Sequence, residues 1–206
     1  MEPDRADHWN GAYADKGEQG VSWFEQRPES SIELIEELAG DAKVSVIDIG
    51  GGASRLVDAG LARGWSMAVL DISRKALDIA RKRLGKQAEK VEWITADVTQ
   101  WRPGRSYDVW HDRAAFHFLT EAEDRAAYIA NMRAALKPGG HAIIATFAAD
   151  GPQRCSGLPV RRYDPAELAE TVGAGFRPVA AHKKVHTTPW GSTQAFQFSL
   201  FERVAP

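Results

Sequence analysis

Cysteine is almost missing from this sequence: Cys155 is the single thiol in 206 residues. One thiol closes no intramolecular disulfide and builds no cysteine-based zinc site, so a reducing, cytoplasmic setting is expected. An excess of either charge is missing too. The 26 basic side chains stand against 28 acidic ones, for a net charge of −2, which offers none of the basic footprint that nucleic acid demands. Nor is there a long apolar run. Ala142 to Ala149 is the longest apolar-rich stretch, far short of the roughly 20 residues needed to cross a bilayer. The opening MEPDRADHWN has neither the basic nor the apolar region of a signal peptide. What is present is 44% apolar and 26% charged, the composition of a globular chain that buries about 70% of its unfolded surface without staples. The expectation is one domain over residues 1–206, a monomer or homodimer, with no membrane or nucleic-acid partner.

Turn signals cut the chain into pieces that alternate in type. Residues 44–50, 67–72, 91–96, 107–111 and 141–147 are short apolar runs, and their continuous rather than alternating character predicts strands covered on both faces of a parallel sheet. Between them lie helical patterns. Residues 74–84 carry Leu77, Ala80 and Leu84 on one face, with Ser73 before and Gly85 after. Residues 121–136 are the strongest helix, with Thr120 and Glu123 as a capping box. Its stripe is Ala122, Ala126, Ile129, Met132 and Leu136, and Lys137-Pro138-Gly139-Gly140 stops it. Asp164-Pro165-Ala166-Glu167 begins another, and Ser30 with Glu33 repeats the box earlier. Residues 176–187 and 193–204 flank Thr188-Pro189-Trp190-Gly191-Ser192 as a hairpin. Phe196, Phe198, Leu200 and Val204 suggest that its second strand is half buried. The fold expected is α/β: a doubly wound, Rossmann-like, seven-stranded and mostly parallel sheet with a C-terminal antiparallel hairpin. Residues 44–206 form its core, and residues 1–40 are a helical lid and substrate segment over the sheet's carboxyl edge.

Chemistry concentrates at strand ends. Asp48 closes the first run and is followed by Gly50, Gly51 and Gly52, which let the backbone turn sharply and approach a ligand closely. Asp71 ends the second run, at the distance of about 20 residues where an acid reads the hydroxyls of a ribose. Ser73 is better placed than Asp71 to cap the following helix. Both features suit any cofactor built on adenosine, so NAD competes. The dinucleotide fingerprint G-x-G-x-x-G is incomplete, because Arg55 holds its last position. No Gly-Lys-Ser/Thr follows to make a phosphate loop either. A cofactor with adenosine and no pyrophosphate fits the departures better, a description that S-adenosylmethionine meets.

These elements resemble the class I S-adenosylmethionine-dependent methyltransferases over nearly the whole chain. Their first motif, D/E-x-G-x-G-x-G, matches Asp48, Gly50 and Gly52, with Ser54 in place of the last glycine. The resemblance makes Asp71 the ribose acid, sets Ile72 against the adenine, and makes Asp97, next to Val98, the reader of the adenine amino group. Leu136-Lys137-Pro138-Gly139-Gly140 matches the step before that family's fifth strand. Asp112-Arg113-Ala114-Ala115, after Tyr107-Asp108-Val109-Trp110, is more similar to the thiopurine and tellurite-resistance branch than to enzymes that methylate amino groups in nucleic acid. That branch implies a small-molecule acceptor with a soft nucleophile: a thiol, selenium or tellurium species. A rival likeness lies in Trp9, Tyr13 and Val21-Ser22-Trp23-Phe24, which resemble the entry segment of elongation-factor lysine methyltransferases, where it covers the methionine end of the cofactor. That reading predicts an exposed acidic channel near residues 111–117. A non-catalytic cofactor-binding or NAD-dependent module is the third reading.

Methyl transfer from a sulfonium asks mainly for alignment in a dry pocket. A thiol needs little help to ionise, whereas an ammonium must first lose a proton. His111, Asp112 and His117 are the candidate catalytic groups, with local hydrogen bonding at strand and helix ends as the plainer role for each. Arg113 and Cys155 are candidate substrate contacts, and Arg154, Arg161 and Arg162 either attract an anion or lie on a solvated surface. Cys155 alone disfavours arsenite, which calls for two or three thiolates. His182 and His186 stand four residues apart on a strand, roughly 13 Å, too far for one metal ion, so no metal is expected.

Overall fold

The structure is a computed structural model and describes residues 5–204. A helix, α1 (Arg5–Lys16), precedes α2 (Glu29–Ala39), and the chain then alternates: β1 (Ser45–Ile49), α3 (Leu56–Ala62), β2 (Ser66–Asp71), α4 (Arg74–Leu84), β3 (Glu92–Thr95), β4 (Tyr107–Arg113), α5 (Ala122–Ala135) and β5 (Leu136–Phe147). A two-strand ribbon, β6 (Arg154–Cys155) and β7 (Leu158–Pro159), leads to α6 (Pro165–Val172), β8 (Phe176–Thr187) and β9 (Thr193–Arg203). The seven-stranded sheet has the order β3-β2-β1-β4-β5-β9-β8. Its first five strands are parallel, and β9 pairs antiparallel with both β5 and β8. Strand order reverses between β1 and β4, where an open α/β sheet leaves a crevice outside the carboxyl ends of its strands.

Successive residues of each strand feed opposite cores. Val46, Met67, Val69, Val109 and Ile143 face α2, α3 and Leu77 of α4; Ile47, Ile49, Ala68, Trp110 and Ile144 face α5 and α6. The apolar runs are therefore continuous because both faces are buried. The caps read from sequence hold at two helices: Ser73 accepts from the Ala76 N–H, and Asp164 accepts from the Glu167 N–H with Pro165 next to it. Among the described residues, no helix is long and apolar enough to cross a membrane.

Five expectations need correction. The helix after Thr120 starts at Ala122 with Glu121 in the cap position, and the Thr120 hydroxyl bonds the Glu121 carboxylate instead of a helix N–H. Its buried face is Tyr128, Asn131, Met132 and Ala135, while Ala122 and Ala126 are exposed. The stripe was misplaced because alanine, small and indifferent to water, carried two of its five positions. Ser30 and Glu33 make no box, because α2 already begins at Glu29. Strand β9 is not half buried: Phe196 through Phe201 are all covered, since it runs inside the sheet between β5 and β8, while Val204 is exposed. Finally, the segment over the carboxyl edge stops before residue 40. Ile32 and Ile35 of α2 are buried in the main core, so the part over the edge is α1, the chain to Pro28 and the first turn of α2, where Ser31 meets His111.

Candidate functional site

At the reversal point a cavity of about 130 Å³ opens at the carboxyl edge. Trp9, Tyr13, Trp23, Gly50, Asp71, Ile72, Asp97, Val98, Arg113 and Cys155 all reach it, together with Arg5, Ala114, Ala115, Phe118 and Leu119. An adjoining recess shares Tyr13, Trp23, Gly50 and Arg113 and adds Glu25, Ser31, Asp48, Gly51 and His111.

The glycine loop is tight enough that side chains do not fit. A Cβ on Gly50 would lie 2.7 Å from the Ala115 methyl, and Gly50 sits at φ +64°. On Gly51 it would lie 2.5 Å from an Asp48 carboxylate oxygen, and on Gly52 2.9 Å from Asp71 Oδ2 and 3.0 Å from the Tyr13 hydroxyl. Ser54, where the last glycine of the motif would be, turns its hydroxyl to the Leu56 N–H at the start of α3. It thus caps a helix that otherwise has no side-chain cap.

Asp71 is buried at the tip of β2 and accepts the Ser73 N–H at 2.7 Å. Burial, with Asp48 nearby, pushes its carboxyl up to about 7 despite hydrogen bonds from the Ser73 and Gly52 backbones. Asp97 at the end of β3 accepts both the N–H and the hydroxyl of Thr99, at 2.8 and 2.7 Å, and lies 3.6 Å from Arg5. Helix α1 roofs this end. Asn10 Oδ1 accepts from the Ser73 hydroxyl at 2.9 Å and from the Lys75 N–H at 3.2 Å, and Arg5 pairs with Asp124. The Tyr13 oxygen accepts from Trp23 Nε1 at 3.1 Å, and burial raises its ionisation well above the usual phenol range. Trp9 stands edge-on to Trp23 and to Phe118, with ring centroids 5.7 and 4.9 Å apart.

The three candidate catalytic groups are elsewhere engaged. His111 lies in the recess, its Nδ1 2.7 Å from Asp48 and its Nε2 2.8 Å from the Ser31 hydroxyl. Asp112 is fully buried and accepts from the Ala115 and Phe116 N–H groups and the Tyr128 hydroxyl. His117 is fully buried, takes the Phe147 N–H on Nδ1 at 3.3 Å, and is pushed down to about 3 by burial and the charge of Arg113. Neither Asp112 nor His117 reaches the cavity wall. The acidic channel expected at 111–117 is not formed: His111, Asp112, Phe116 and His117 are buried, and of the partly open residues 113–115 the one with a charge is Arg113, a cation.

Arg113 ties three parts of the chain together. Its Nη1 donates to the Trp23 carbonyl at 3.0 Å, its Nη2 lies 3.1 Å from Glu25, and its guanidinium sits 4.8 Å from the centre of the Phe196 ring. Glu25 in turn lies 3.4 Å from His186, whose Nε2 is 2.7 Å from the Ser22 carbonyl. Cys155 is a buried free thiol on the ribbon, pushed up to about 11 by burial. Arg154, Arg161 and Arg162 bond Gly157, Glu167 and Gly151 respectively and line neither space. Sequence reasoning missed Glu25, Ser31, Phe118 and Tyr128. These act through distant partners, and only Tyr128, an aromatic on the inner face of α5, left a readable trace.

Residues 46–140 match the family model described as a methyltransferase domain. Over 119 residues the chain is 30% identical to the ubiquinone biosynthesis O-methyltransferase of Nitrosomonas europaea, covering 56% of this chain and 49% of that one. The chain thus spans about half the length of the curated relatives it matches. Among solved structures, it is similar to the 1,6-didemethyltoxoflavin-N1-methyltransferase of Burkholderia thailandensis, at a TM-score of 0.73 and 20% identity over 97% of this chain and 89% of that one. It is also similar to the N-methyltransferase NodS of Bradyrhizobium japonicum, at 0.72 and 15% over 96% and 99%. Both were solved with S-adenosylhomocysteine. At these identities the structures establish the fold, a Rossmann-like α/β fold that the chain shares with these two proteins.

Proposed function

We propose that this chain is a class I S-adenosylmethionine-dependent methyltransferase that methylates a small molecule, with a soft nucleophile such as a thiol, selenium or tellurium species as the favoured acceptor. The observation that carries the reading is the convergence of Gly50, Asp71 with Ile72, and Asp97 with Val98 on one cavity roofed by Trp9, Tyr13 and Trp23, with Gly51 and Asp48 in the adjoining recess. The donor set suits the cofactor. Gly52 leaves room beside the Asp71 carboxylate, which would accept the ribose hydroxyls. Ile72 and Val98 offer apolar walls to a purine, and Asp97 offers an acceptor to its amino group. Asp48, Gly50 and Gly51 would hold the methionine end in the recess that Glu25 and Arg113 close. When bound, the cofactor supplies a sulfonium-activated methyl group. The aromatic roof then excludes water, and alignment provides the rate.

The acceptor half, walled by Arg113, Phe118, Leu119 and Cys155, supports a small apolar acceptor rather than an alkylammonium, because its fixed charge is a cation. Cys155 touches the acceptor as a neutral thiol in this reading, and His111 and His117 do not act as bases. The test is release of S-adenosylhomocysteine with three acceptor pools: thiols with selenite or tellurite, small amines and phenols, and cell-extract protein. Turnover confined to the first supports the reading. Turnover confined to protein replaces the acceptor with a lysine side chain, and binding of NAD without S-adenosylmethionine ends the methyltransferase assignment.

A further inference from the structure

Beyond its end at Arg113, β4 enters a turn that no ordinary sequence would adopt unaided. Ala114 sits at φ +74°, in the left-handed region that favours glycine. Its own N–H is held by the Ala145 carbonyl at 2.9 Å. The next residue, Ala115, is pressed against Gly50 so closely that a Cβ there would lie 2.7 Å from the Ala115 methyl. Ala114, Ala115, Phe118 and Leu119 make the wall of the cavity on this side, so the turn decides its shape between the glycine loop and the acceptor half.

One side chain holds the turn from behind. Asp112 Oδ1 accepts the Ala115 N–H at 2.8 Å, and Oδ2 accepts the Phe116 N–H at 3.0 Å and the Tyr128 hydroxyl at 2.6 Å. The Tyr128 oxygen receives Trp110 Nε1–H at 2.7 Å, which orients its own proton toward the carboxylate. Asp112 is wholly buried and reaches no cavity, so it can neither touch an acceptor nor take a proton from one.

We infer that Asp112 is a positioning residue: with Tyr128 behind it, its carboxylate clamps the left-handed turn at Ala114 against Gly50 and so sets the wall against which cofactor and acceptor are aligned. The inference rests on the methyltransferase reading above and deepens it, since it moves the Asp-Arg motif from acid–base chemistry to geometry. Backbone strain held in place by a surrounding network is the physical pattern expected of a shaped site. Burial raises the Asp112 carboxyl to about 6 while the donors oppose the rise, which leaves it ionised at neutral pH and able to accept on both oxygens.

The experiment uses the full chain and reads S-adenosylhomocysteine affinity by calorimetry, well below the melting temperature of each variant. An amide at 112 has one acceptor oxygen in place of two. If it leaves a tenth of the molecules with the competent turn, Asp112→Asn weakens the affinity by about tenfold. Ala114→Gly alone leaves affinity within about twofold, because the turn is already formed. Added to Asp112→Asn, Ala114→Gly restores most of the loss, because glycine adopts the turn without being held. Should Asp112→Asn not fold, Tyr128→Phe keeps the carboxylate, removes one of its donors and shifts affinity the same way, by about threefold. Rescue by a residue two positions away is something neither a general base nor a merely destabilised fold would give. A wild type that binds while Asp112→Asn binds equally well, or an Asp112→Asn defect that Ala114→Gly fails to relieve, overturns this inference alone. A wild type that binds no S-adenosylhomocysteine overturns the methyltransferase reading and this one with it.

Discussion

The His111 imidazole is strung between Asp48, 2.7 Å from Nδ1, and Ser31, 2.8 Å from Nε2, and so joins β4, β1 and α2 through one buried ring. With Nδ1–H donated to the carboxylate, Nε2 is left to accept the serine hydroxyl proton, and both ring nitrogens are satisfied. A ring so used is a brace behind the glycine loop.

His111→Ala strands a buried carboxylate and a buried hydroxyl together. The expected cost is about 3 kcal/mol of stability, measured by urea unfolding. Turnover per folded molecule at saturating cofactor should persist. Loss of turnover with stability intact would instead make His111 the base.

Asp71 gives two opposite pH dependences. Burial raises its carboxyl from the ordinary aspartate range to about 7 in the folded chain. Its contribution to folding stability is therefore fully present below pH 4 and is lost as pH rises through 7. Binding of a ribose diol needs the carboxylate, so S-adenosylhomocysteine affinity should rise across that same window, by up to about tenfold per pH unit on the acid side. Calorimetry from pH 5.5 to 8 reads it, and Asp71→Asn should bind weakly with a flat profile. A flat profile in the wild type would mean that Asp71 does not meet the ligand.

Gly51→Ala places a methyl 2.5 Å from Asp48 Oδ2 and 2.8 Å from Val69 Cγ1. Neither neighbour can retreat, since both lie in buried strands. A loss of about 1–3 kcal/mol is expected by thermal or urea unfolding, together with loss of cofactor binding. Gly139→Ala is the control, because its Cβ would meet nothing within 4 Å. At φ +75° it suffers backbone strain only.

Helix α1 meets the start of α4 through Asn10, whose carbonyl takes the Ser73 hydroxyl and the Lys75 N–H. Asn10→Ala removes both contacts without touching the cavity wall. If α1 must lift for the cofactor to pass, release of S-adenosylhomocysteine should accelerate several-fold, about the factor that 1 kcal/mol supplies. Stopped-flow tryptophan fluorescence follows it through Trp9 and Trp23. An unchanged release rate would mean that exchange takes another route.

Burial pushes the Cys155 thiol up to about 11, so it is almost wholly protonated at pH 8. Its alkylation by iodoacetamide should run about 100-fold slower than that of a free thiol. Mass spectrometry at timed intervals reads this. Fast labelling would show that the ribbon opens and would return Cys155 to the list of reactive groups.

Much of the fold was legible because its signals are local. The parallel strands showed as continuous apolar runs, since both faces are covered, and Ser73 and Asp164 announced helices by cap chemistry that acts within three residues. That a glycine turn and two strand-end acids would meet at the carboxyl edge was legible for the same reason, since each is sequence-local. The opposite wall was not. Asp112 and Arg113 stand side by side in sequence, yet one is fixed by Tyr128 and the other by Trp23 and Glu25, and no local pattern records such distant partners. The covered state of β9 was missed for a related reason. Its alternating phenylalanines looked like one buried face, while Gln197 and Ser199 on the other face are buried too.

The place of β9 inside the sheet bears on how the chain is made. Strand β8 borders no other strand of the sheet than β9, and β9 is also what joins β8 to β5. During synthesis β8 leaves the ribosome first and has nothing to pair with until β9 follows. The nascent chain therefore exposes the edge of β5 and a loose 12-residue strand at the same moment, a pair of unsatisfied edges of the kind that recruits foreign strands. The positive charge of β8 at Arg177, Lys183 and Lys184, with the bulge near Pro178, would keep that interval short of aggregation.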